Sequence, residues 1–539
     1  MSYDFIIKNG RIIDGTGNPG YTSDIILENG KIKKLQFQCK DKAGTEINAK
    51  GYIVCPGFID IHSHTDYVLP LLPKLESTIQ QGITTQTIGM CGDGLAPLHP
   101  ERIEPIREML TVQSSLYKEY EFRWRSFSEY LNKMESLRCP ANSIFFVGYG
   151  NIRIAGGQGF EKRSATQSEM ESMKQYLREA MESGAFGMST GLIYPPQVFS
   201  TTDELIELCK IVAEYKGLYF SHIRGEDENL ISAVKEFIEI VEKSNCSGGQ
   251  IAHFKVSGKK NWGNSIKALK LIEEANQKGL NITFDQYPYN RGMSNLPTAL
   301  PPWVLEDGKE KSLERIKDTV LQKKIIQDTE NGIEGWENWI RNNGFDKIFI
   351  STAQTDKWKD ITGKSISQIT RIKGLENDWE TFFQLLIDEN FDVQITIESM
   401  DDDDIERIMI NPFQMIGTDG AGAPANPMIG VLHPRLFGTY PRVFAQYVRE
   451  KNLLTWEEAI RKMTSFPARK LGLKDRGLIH EGNWADIVIF DPNTIKDTAT
   501  YENPIQFPEG IMYVIVNGII VVDHGKQKRK YPGKIIRRP

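Results

Sequence analysis

Residues 56–64 read Pro-Gly-Phe-Ile-Asp-Ile-His-Ser-His, and this stretch decides the fold class. Its apolar part is typical of a buried strand, which leads directly into His62 and His64. Residues i and i+2 of a strand point to the same side, so both imidazoles can reach one ion. Neutral imidazole is a good ligand for zinc and similar metals. The stretch therefore predicts a metal site at the end of a buried strand. If His62 and His64 are considered without this context, the alternative is that both are ordinary surface histidines after a strand.

Short β-like segments alternate with longer helical ones along the middle of the chain. Helices are predicted, for example, at Ser168–Glu182 and Leu230–Lys243. The predicted strands are Gly57–His62, Thr84–Met90, Ser143–Val147, Phe186–Ser189, Leu218–His222, Gln250–Phe254, Ile282–Gln286 and Gln414–Thr418. Repeated β-then-α units favour parallel strands with crossover helices, and eight such strands suit a TIM-like (β/α)8 barrel. A doubly wound open sheet is the alternative.

Both ends of the chain have a β-like pattern punctuated by Asn-Gly pairs at 9–10, 29–30 and 517–518. Asn-Gly is a strong hairpin signal because both residues tolerate positive φ. Since the two ends share this pattern, we expect them to share one sheet. The predicted organisation is a small β-sandwich from residues 1–55 and 474–539, with a catalytic β/α barrel at 56–473.

The interval between the seventh and eighth predicted strands, about 291 to 412, is far longer than a normal connection. It contains helical patterns at Leu313–Asp328 and Gly332–Asn342, and a strand-like run at Asp346–Ser351. We therefore predict an inserted subdomain at about 291–350, before the last barrel strand. Insertions near the mouth of a barrel often act as lids.

The composition excludes several classes of function. The chain has 539 residues, a formal net charge of −6 and six scattered cysteines. No basic tract dominates and no segment approaches 18 apolar residues, so neither a nucleic-acid partner nor a membrane span is expected. The N-terminus lacks a signal-peptide pattern, and the cysteines do not form a disulfide framework. A reduced, cytoplasmic setting is expected for the chain, and homo-oligomerisation is left open.

Four further residues occupy predicted strand ends. Cys91 lies in a glycine-rich stretch after the second strand, His222 and His253 end consecutive strands, and Asp419 follows the last strand. Taken singly, each has a structural alternative: a small buried thiol, a core histidine or a turn aspartate. The order His-x-His, Cys, His, His, Asp at successive strand ends is more specific. A thiolate and imidazoles bind zinc, and a carboxylate beside the metal can act as general base and then as acid.

Eleven segments of the chain carry a resemblance to a known family. They are PGFIDIHSHTD (56–66), TIGMCGDGLAP (87–97), GAFGMSTGLIYPP (184–196), SHIRGE (221–226), AHFK (252–255), DQYPY (285–289), LPPW (300–303), IGTDG (416–420), HPRLFGTYPRV (433–443), MTSFPARKLGL (463–473) and GNWADIVIFDP (482–492). With these segments the chain resembles the N-acyl-D-amino-acid deacylases, or D-aminoacylases, of the amidohydrolase superfamily. The resemblance runs nearly end to end.

The resemblance implies a distorted β/α barrel, a β-sandwich from both termini and an insertion before the last strand. It also implies one tightly held zinc on Cys91, His222 and His253, and a weaker second metal position at His62 and His64. Asp419 corresponds to the catalytic aspartate. The substrate carboxylate would be bound by Lys255, Tyr287 and Arg435, and Tyr194 would form a wall of the pocket.

The predicted reaction is zinc-dependent hydrolysis of the linear amide of N-acyl-D-amino acids to a carboxylate and a free D-amino acid. Metal-activated water attacks the amide, with Asp419 as general base and acid. Selectivity for the D configuration rests on the resemblance alone. The alternatives are a hydantoin- or dihydropyrimidine-like cyclic amide hydrolase and a non-catalytic scaffold. The cyclic-amide relatives typically use a bridging carboxylated lysine, and no lysine ends the third or fourth predicted strand.

Three segments depart from the family pattern. Gly148-Tyr149 stands where the family usually has Gly-His, Asn290-Arg291-Gly292-Met293 follows DQYPY, and an apolar loop at Ala421 to Leu432 follows Asp419. We expect all three near the substrate pocket, where they would affect which acyl group and side chain are accepted.

Overall fold

Strands from both chain ends form one nine-stranded sheet, called here the terminal sheet. The structure, a computed structural model, describes residues 3–113, 117, 119–424 and 433–538. The strands are Tyr3–Ile12, Tyr21–Glu28, Lys31–Gln36, Ala43–Asn48, Ile53–Pro56, Ile487–Phe490, Ile511–Val516, Ile519–Asp523 and Lys526–Gln527. Ile53–Pro56 joins the two halves, because it pairs parallel with the first strand and antiparallel with Ile487–Phe490. The two ends of the chain therefore share one sheet.

Two of the three predicted Asn-Gly hairpins are confirmed, and the third is wrong. Asn29-Gly30 and Asn517-Gly518 connect adjacent strands with φ of 53° and 77°, and of 48° and 78°. Asn9-Gly10 instead lies inside the first strand, where the register with the next strand shifts between Ile7 and Gly10. A Cβ on Gly10 would lie 2.4 Å from Val54 Cγ2. The glycine thus permits a β-bulge and a close strand approach rather than a turn.

All eight predicted central strands are present, with ends that differ by a few residues. The observed strands are Phe58–Asp60, Ile83–Ile88, Asn142–Phe145 with Val147–Gly148, Gly187–Gly191, Leu218–His222, Gly249–Ile251, Ile282–Gln286 and Gln414–Ile416. They pair in parallel within two sheets, and Ile535–Ile536 pairs with the edge of one of them. The strands Asn142–Phe145 and Val147–Gly148 belong to different sheets and are separated only by Phe146. The two sheets also meet where Ser63 forms a parallel bridge with Gly420. The carboxyl ends of the central strands therefore point to a common face.

Helices lie between the central strands or follow the last of them. They are Glu76–Gln80, Ile103–Gln113, Phe127–Ser136, Tyr149–Gly156, Gln167–Glu182, Thr202–Glu214, Leu230–Ser244, Ser265–Gln277, Asp402–Met409, Arg435–Arg442, Trp456–Met463 and Ser465–Leu471. Gln167–Glu182 begins where it does because Thr166 and Glu169 form a capping box, and it buries Met173 and Leu177. A π-helical stretch, Val443–Glu450, continues Arg435–Arg442. No helix in the described ranges has the length and apolar character needed to cross a bilayer.

The long interval before the last central strand folds around its own sheet, called here the inserted sheet. Arg291–Asn295, Gln394–Glu398 and Ile348–Thr352 pair antiparallel in that order. The helices Lys309–Lys317, Thr319–Asn331, Trp339–Asn343, Ile366–Lys373 and Asp378–Asp388 surround it, and the segment has a separate apolar core. Gln394–Glu398 is the central strand, so this unit continues to 398, beyond the predicted limit near 350. Nothing in the local pattern of 353–393 signals that a later strand returns to the start of the insertion.

Two predicted helices in this segment have different bounds. The pattern at Leu313–Asp328 predicted one helix, but two helices meet at Asp318. The Asp318 carboxylate accepts hydrogen bonds from the backbone N–H of Val320 at 2.7 Å and Leu321 at 3.2 Å, so it caps the second helix. The helix predicted at Gly332–Asn342 is confined to Trp339–Asn343, whose N-cap is Asn338.

Candidate metal centre

The residues predicted at the strand ends lie together in space. His62 and His64 follow Phe58–Asp60, and the others follow or end their own strands. A cavity of about 900 Å³ opens at this face, and His64, Cys91, His222, His253 and Asp419 line it. His62 is fully buried beneath them. The parallel arrangement thus brings together side chains that are up to 357 positions apart in the chain.

His62 is shared between two groups of side chains that could hold a metal ion. Its Nε2 lies 3.5 Å from Cys91 Sγ, which in turn lies 3.6 Å from His253 Nε2. The same Nε2 lies 3.3 Å from Asp419 Oδ1, and His64 Nε2 lies 3.1 Å from that oxygen. The ligand atoms of His62, Cys91 and His253, and those of His62, His64 and Asp419, lie within 4.8 Å of one another. His62 therefore connects two adjacent metal-capable groups.

The predicted trio Cys91, His222 and His253 is not itself one of the groups found within 4.8 Å among the described residues. His222 groups instead with Glu226 and His253, and its ring centroid lies 4.3 Å from that of His253. Both ring nitrogens of His222 are buried without a hydrogen-bond partner in the described part of the chain. A buried polar atom without a partner is costly, and a metal ligand role would satisfy it. The donor set, a thiol with several imidazoles and carboxylates, fits zinc.

Three of the residues that face the cavity have strained backbone. Cys91, His253 and Asp419 have φ of 52°, 35° and 48°, in the left-handed region that non-glycine residues rarely adopt. Such strain is retained where the surrounding structure over-determines it, and it concentrates at functional sites. It also explains why the strands before these residues end earlier than predicted.

Carboxylates orient the two histidines nearest Cys91. Asp285 Oδ1 lies 2.9 Å from His62 Nδ1, and Glu226 Oε1 lies 3.0 Å from His253 Nδ1. A proton on His62 Nδ1 leaves its Nε2 available as a ligand, which is the arrangement found around protein-bound metals. His253 Nδ1 also lies 2.7 Å from Lys255 Nζ, so this ring is held between a carboxylate and an ammonium group. Burial lowers the pKa of His62, but the charges of Asp285 and Asp419 outweigh it and hold this pKa well above its usual value. Sequence reasoning missed Asp285 and Glu226, although both lie in the DQYPY and SHIRGE segments.

The electrostatic environment keeps Asp419 ionised. Burial by itself would raise the pKa of its carboxyl, but the positive charge of Arg435, followed by His253 and His62, holds this pKa well below its usual range. Arg435 Nη1 lies 2.6 Å from Asp419 Oδ2. Burial raises the pKa of the neighbouring Cys91 thiol to about 11. A cation bound at the thiol would favour the thiolate.

The three side chains predicted to bind a substrate carboxylate lie together along the cavity. The Tyr287 ring is 4.8 Å from Arg435 Cζ and 5.8 Å from Lys255 Nζ. Lys255 Nζ also lies 2.6 Å from Glu226 Oε1, so each cation already has a carboxylate neighbour. Tyr194 lines the same cavity, with its ring centroid 5.0 Å from that of His222.

The three departures from the family pattern lie in different places. Tyr149 is not part of the cavity wall: its hydroxyl donates to Glu204 and lies 3.2 Å from Arg153 Nη1, so its predicted place near the substrate was wrong. The helix that begins at Tyr149 turns this side chain toward Glu204, on the helix Thr202–Glu214. Gly292 and Met293 do line the cavity. In the third segment Ala421 and Ala423 also line it, while residues 425–432 lie outside the described residues.

The buried amide of Gln197, which sequence reasoning also missed, holds the backbone of Cys91. Its Nε2 donates to Cys91 O and to Asp93 Oδ1, both at 3.0 Å, and its Oε1 accepts from Gly191 N at 2.7 Å. We expect Gln197→Leu to weaken metal binding by about 10–100-fold, the range seen when supporting contacts around metal ligands are removed. Competition with a chromogenic chelator would measure this. Gln158→Leu removes a buried amide outside the cavity wall and serves as the control, and equal metal affinity in both variants would contradict the role.

Comparisons with known proteins identify related sequences and structures. Residues 45–522 match the amidohydrolase family. The chain is 30% identical to a D-aminoacylase from Alcaligenes xylosoxydans xylosoxydans, over 99% of this chain and 98% of that protein. A crystal structure of N-acyl-D-glutamate deacylase from Bordetella bronchiseptica, complexed with zinc and a phosphonate mimic of the tetrahedral intermediate, matches with a TM-score of 0.83, 30% identity and full coverage of both chains. A D-aminoacylase studied for its binuclear metal centre matches with a TM-score of 0.82 and 30% identity, over 99% of this chain and 100% of that one.

Proposed function

The chain belongs to the amidohydrolase family, and from this premise we propose that it is a metal-dependent hydrolase that cleaves the linear amide of N-acyl-D-amino acids. The products are a carboxylate and a free D-amino acid. The observation that carries the proposal is the position of the Asp419 carboxylate, 3.3 Å and 3.1 Å from the Nε2 atoms of His62 and His64. The group formed by His62, Cys91 and His253 adjoins it, and the cations Lys255 and Arg435 line the same cavity.

Zinc is the metal that these donors suit best. We propose that Cys91, His222 and His253 hold the tightly bound ion and that His62 and His64 supply a second, weaker position. The distances from His62 to both Cys91 and Asp419 support a ligand at the boundary of the two positions. Zinc in such a site supplies a nucleophilic water at neutral pH and a Lewis acid for the amide carbonyl.

Asp419 is the proton-transfer residue in this proposal. Its ionised carboxylate takes a proton from the attacking water and returns it to the departing amide nitrogen. Arg435, 2.6 Å away, fixes the direction of the carboxylate and favours its charged form. Asp419 is buried in the lining of the cavity, so few of its atoms contact solvent.

Lys255, Tyr287 and Arg435 position the substrate by its carboxylate. Guanidinium and ammonium groups are the natural partners of that anion, and the Tyr287 ring lies beside both. A carboxylate bound here directs the acyl amide toward Asp419 and the metal ligands. Tyr194 forms the wall next to His222.

We also propose how the chain is divided. Residues 56–473 form a distorted (β/α)8 barrel, supported by the continuity of chain at Phe146 and by the bridge between Ser63 and Gly420. Residues 1–55 and 474–539 form a β-sandwich around the core of the terminal sheet, except that Ile535–Ile536 pairs with the central strand Asn142–Phe145. Residues 291–398 form the inserted subdomain beside the cavity.

The cyclic-amide alternative has less support. Its usual bridging lysine would end the third or fourth central strand, where this chain has Tyr149 and Gly191. The free thiol of Cys91 lies instead between two histidines. The non-catalytic alternative is disfavoured because the metal-capable donors and Asp419 are all present and close together.

A panel of N-acetyl-D-amino acids, their L enantiomers and hydantoins tests the proposal. We expect the D compounds to be cleaved at least about tenfold faster than the L compounds, since a site that fixes carboxylate and amide separately discriminates against the mirror image. Activity should disappear on dialysis against a chelator and return with Zn²⁺. Hydantoin cleavage faster than that of every N-acetyl amino acid would overturn the proposal, and the Asp419→Asn variant controls for contaminating hydrolases.

A further inference from the structure

The inserted sheet presents an uncharged wall to the cavity. Side chains from all three of its strands line the cavity, among them Met293, Ser294, Ser351, Thr352 and Gln394. Most of them end in hydroxyl or amide groups, and none carries a charge. This wall can therefore donate and accept hydrogen bonds, but it offers no cation to a negatively charged group.

The cations that line the described part of the cavity are Lys255 and Arg435. Each is already beside a carboxylate: Lys255 Nζ lies 2.6 Å from Glu226 Oε1, and Arg435 Nη1 lies 2.6 Å from Asp419 Oδ2. One substrate carboxylate can be shared by these two cations, and a second one finds no further cation on the wall.

Carboxylates beyond those two pairs also line the cavity. Glu337 is 4% exposed and accepts hydrogen bonds from Glu226 N at 2.8 Å and Trp339 Nε1 at 2.6 Å. Asp392 and Glu502 line it as well. The cavity lining outside the inserted sheet thus includes five carboxyl groups, those of Glu226, Glu337, Asp392, Asp419 and Glu502, and two cations. Burial, with the charges of Glu226 and Asp227, holds the pKa of Glu337 well above its usual value. None of these carboxyl groups offers a positive charge to an additional anion.

We propose that the substrate carries no negative charge besides its α-carboxylate, an inference that rests on the proposed function and narrows its substrate class. Neutral polar or basic side chains and neutral acyl groups are accepted. N-acyl-D-aspartate and N-acyl-D-glutamate are rejected, because a desolvated second carboxylate would face carboxylates and neutral dipoles instead of a cation. An amide of the same shape keeps hydrogen bonds to the inserted sheet without that cost.

Isosteric substrate pairs test this proposal. We expect kcat/KM for N-acetyl-D-glutamine to exceed that for N-acetyl-D-glutamate by about 10²-fold. We expect a preference of about the same size for N-acetyl-D-asparagine over N-acetyl-D-aspartate. A preference of tenfold or more for the amides supports the inference, and a smaller or reversed preference overturns it. Failure to cleave any of the four, with N-acetyl-D-methionine also intact, would instead overturn the proposed function and the inference with it.

A charge placed on the exposed rim gives a second measurement. Gln354 lines the cavity and is exposed, so Gln354→Arg is compatible with folding. We expect this variant to lower the ratio of kcat/KM for N-acetyl-D-glutamine to kcat/KM for N-acetyl-D-glutamate at least about fivefold. The reason is that the added cation attracts the second carboxylate of the glutamate substrate. Gln354→Met is the neutral control of similar length. Equal kcat/KM ratios in Gln354→Arg and Gln354→Met would overturn the proposal that charge determines which substrates are accepted.

Discussion

Replacing Asp419 with asparagine is expected to lower kcat/KM for an N-acetyl-D-amino acid by about 10³-fold, within the range for loss of a general acid–base group. Asparagine has the same shape but cannot accept the proton of the attacking water. The substitution leaves Cys91, His222 and His253 in place, so the tightly bound metal should remain. Kinetics on purified protein, with metal content measured on the same sample, would check both parts.

Two controls separate this effect from a loss of folding. Arg435 loses its charged neighbour in the variant, so thermal unfolding should be measured beside the kinetics. Asp401→Asn makes the same chemical change at a helix N-cap, where asparagine serves as well as aspartate, and should behave as wild type. Near-normal turnover of Asp419→Asn with its metal bound would exclude the proposed role.

Replacing Cys91 with serine is expected to remove the metal proposed to bind there and about 10³-fold or more of the activity, because in the proposed mechanism that ion would supply both the nucleophile and the charge stabilisation. Serine is a poorer zinc ligand than a thiolate and reaches less far. Its oxygen would replace a sulfur that lies 3.5 Å and 3.6 Å from the Nε2 atoms of His62 and His253. Metal content by mass spectrometry and the thiolate-to-metal absorption of the Cd²⁺-substituted enzyme would measure the loss.

Cys246→Ser provides the matched control. Cys246 is a half-buried free cysteine near Cys209 and does not line the cavity. We expect this variant to keep its metal, its Cd²⁺–thiolate absorption and its activity. If Cys91→Ser also kept full metal content and activity, the ion would have to rest on the histidines and carboxylates alone.

Much of the fold could be predicted because its signals are local. The eight central strands and the hairpins at Asn29-Gly30 and Asn517-Gly518 follow from hydrophobic pattern and turn chemistry. The Asn9-Gly10 prediction failed because the same dipeptide also permits a bulge, and only the neighbouring Val54 decides between them. Tyr149 was misplaced because a strand-end position does not reveal which way the following helix turns a side chain.

The order of strands and helices and the kinds of donor group at the strand ends could be predicted from local patterns, because periodicity and donor chemistry are properties of short segments. Only the tertiary structure decided that His62 is shared between Cys91 and Asp419, and that Asp285, 223 positions away, orients it. The tertiary structure also pairs the two cations of the cavity, Lys255 and Arg435, with the carboxylates of Glu226 and Asp419. These contacts join distant strands at one sheet face, so no local pattern encodes them, and they set which charges a substrate meets.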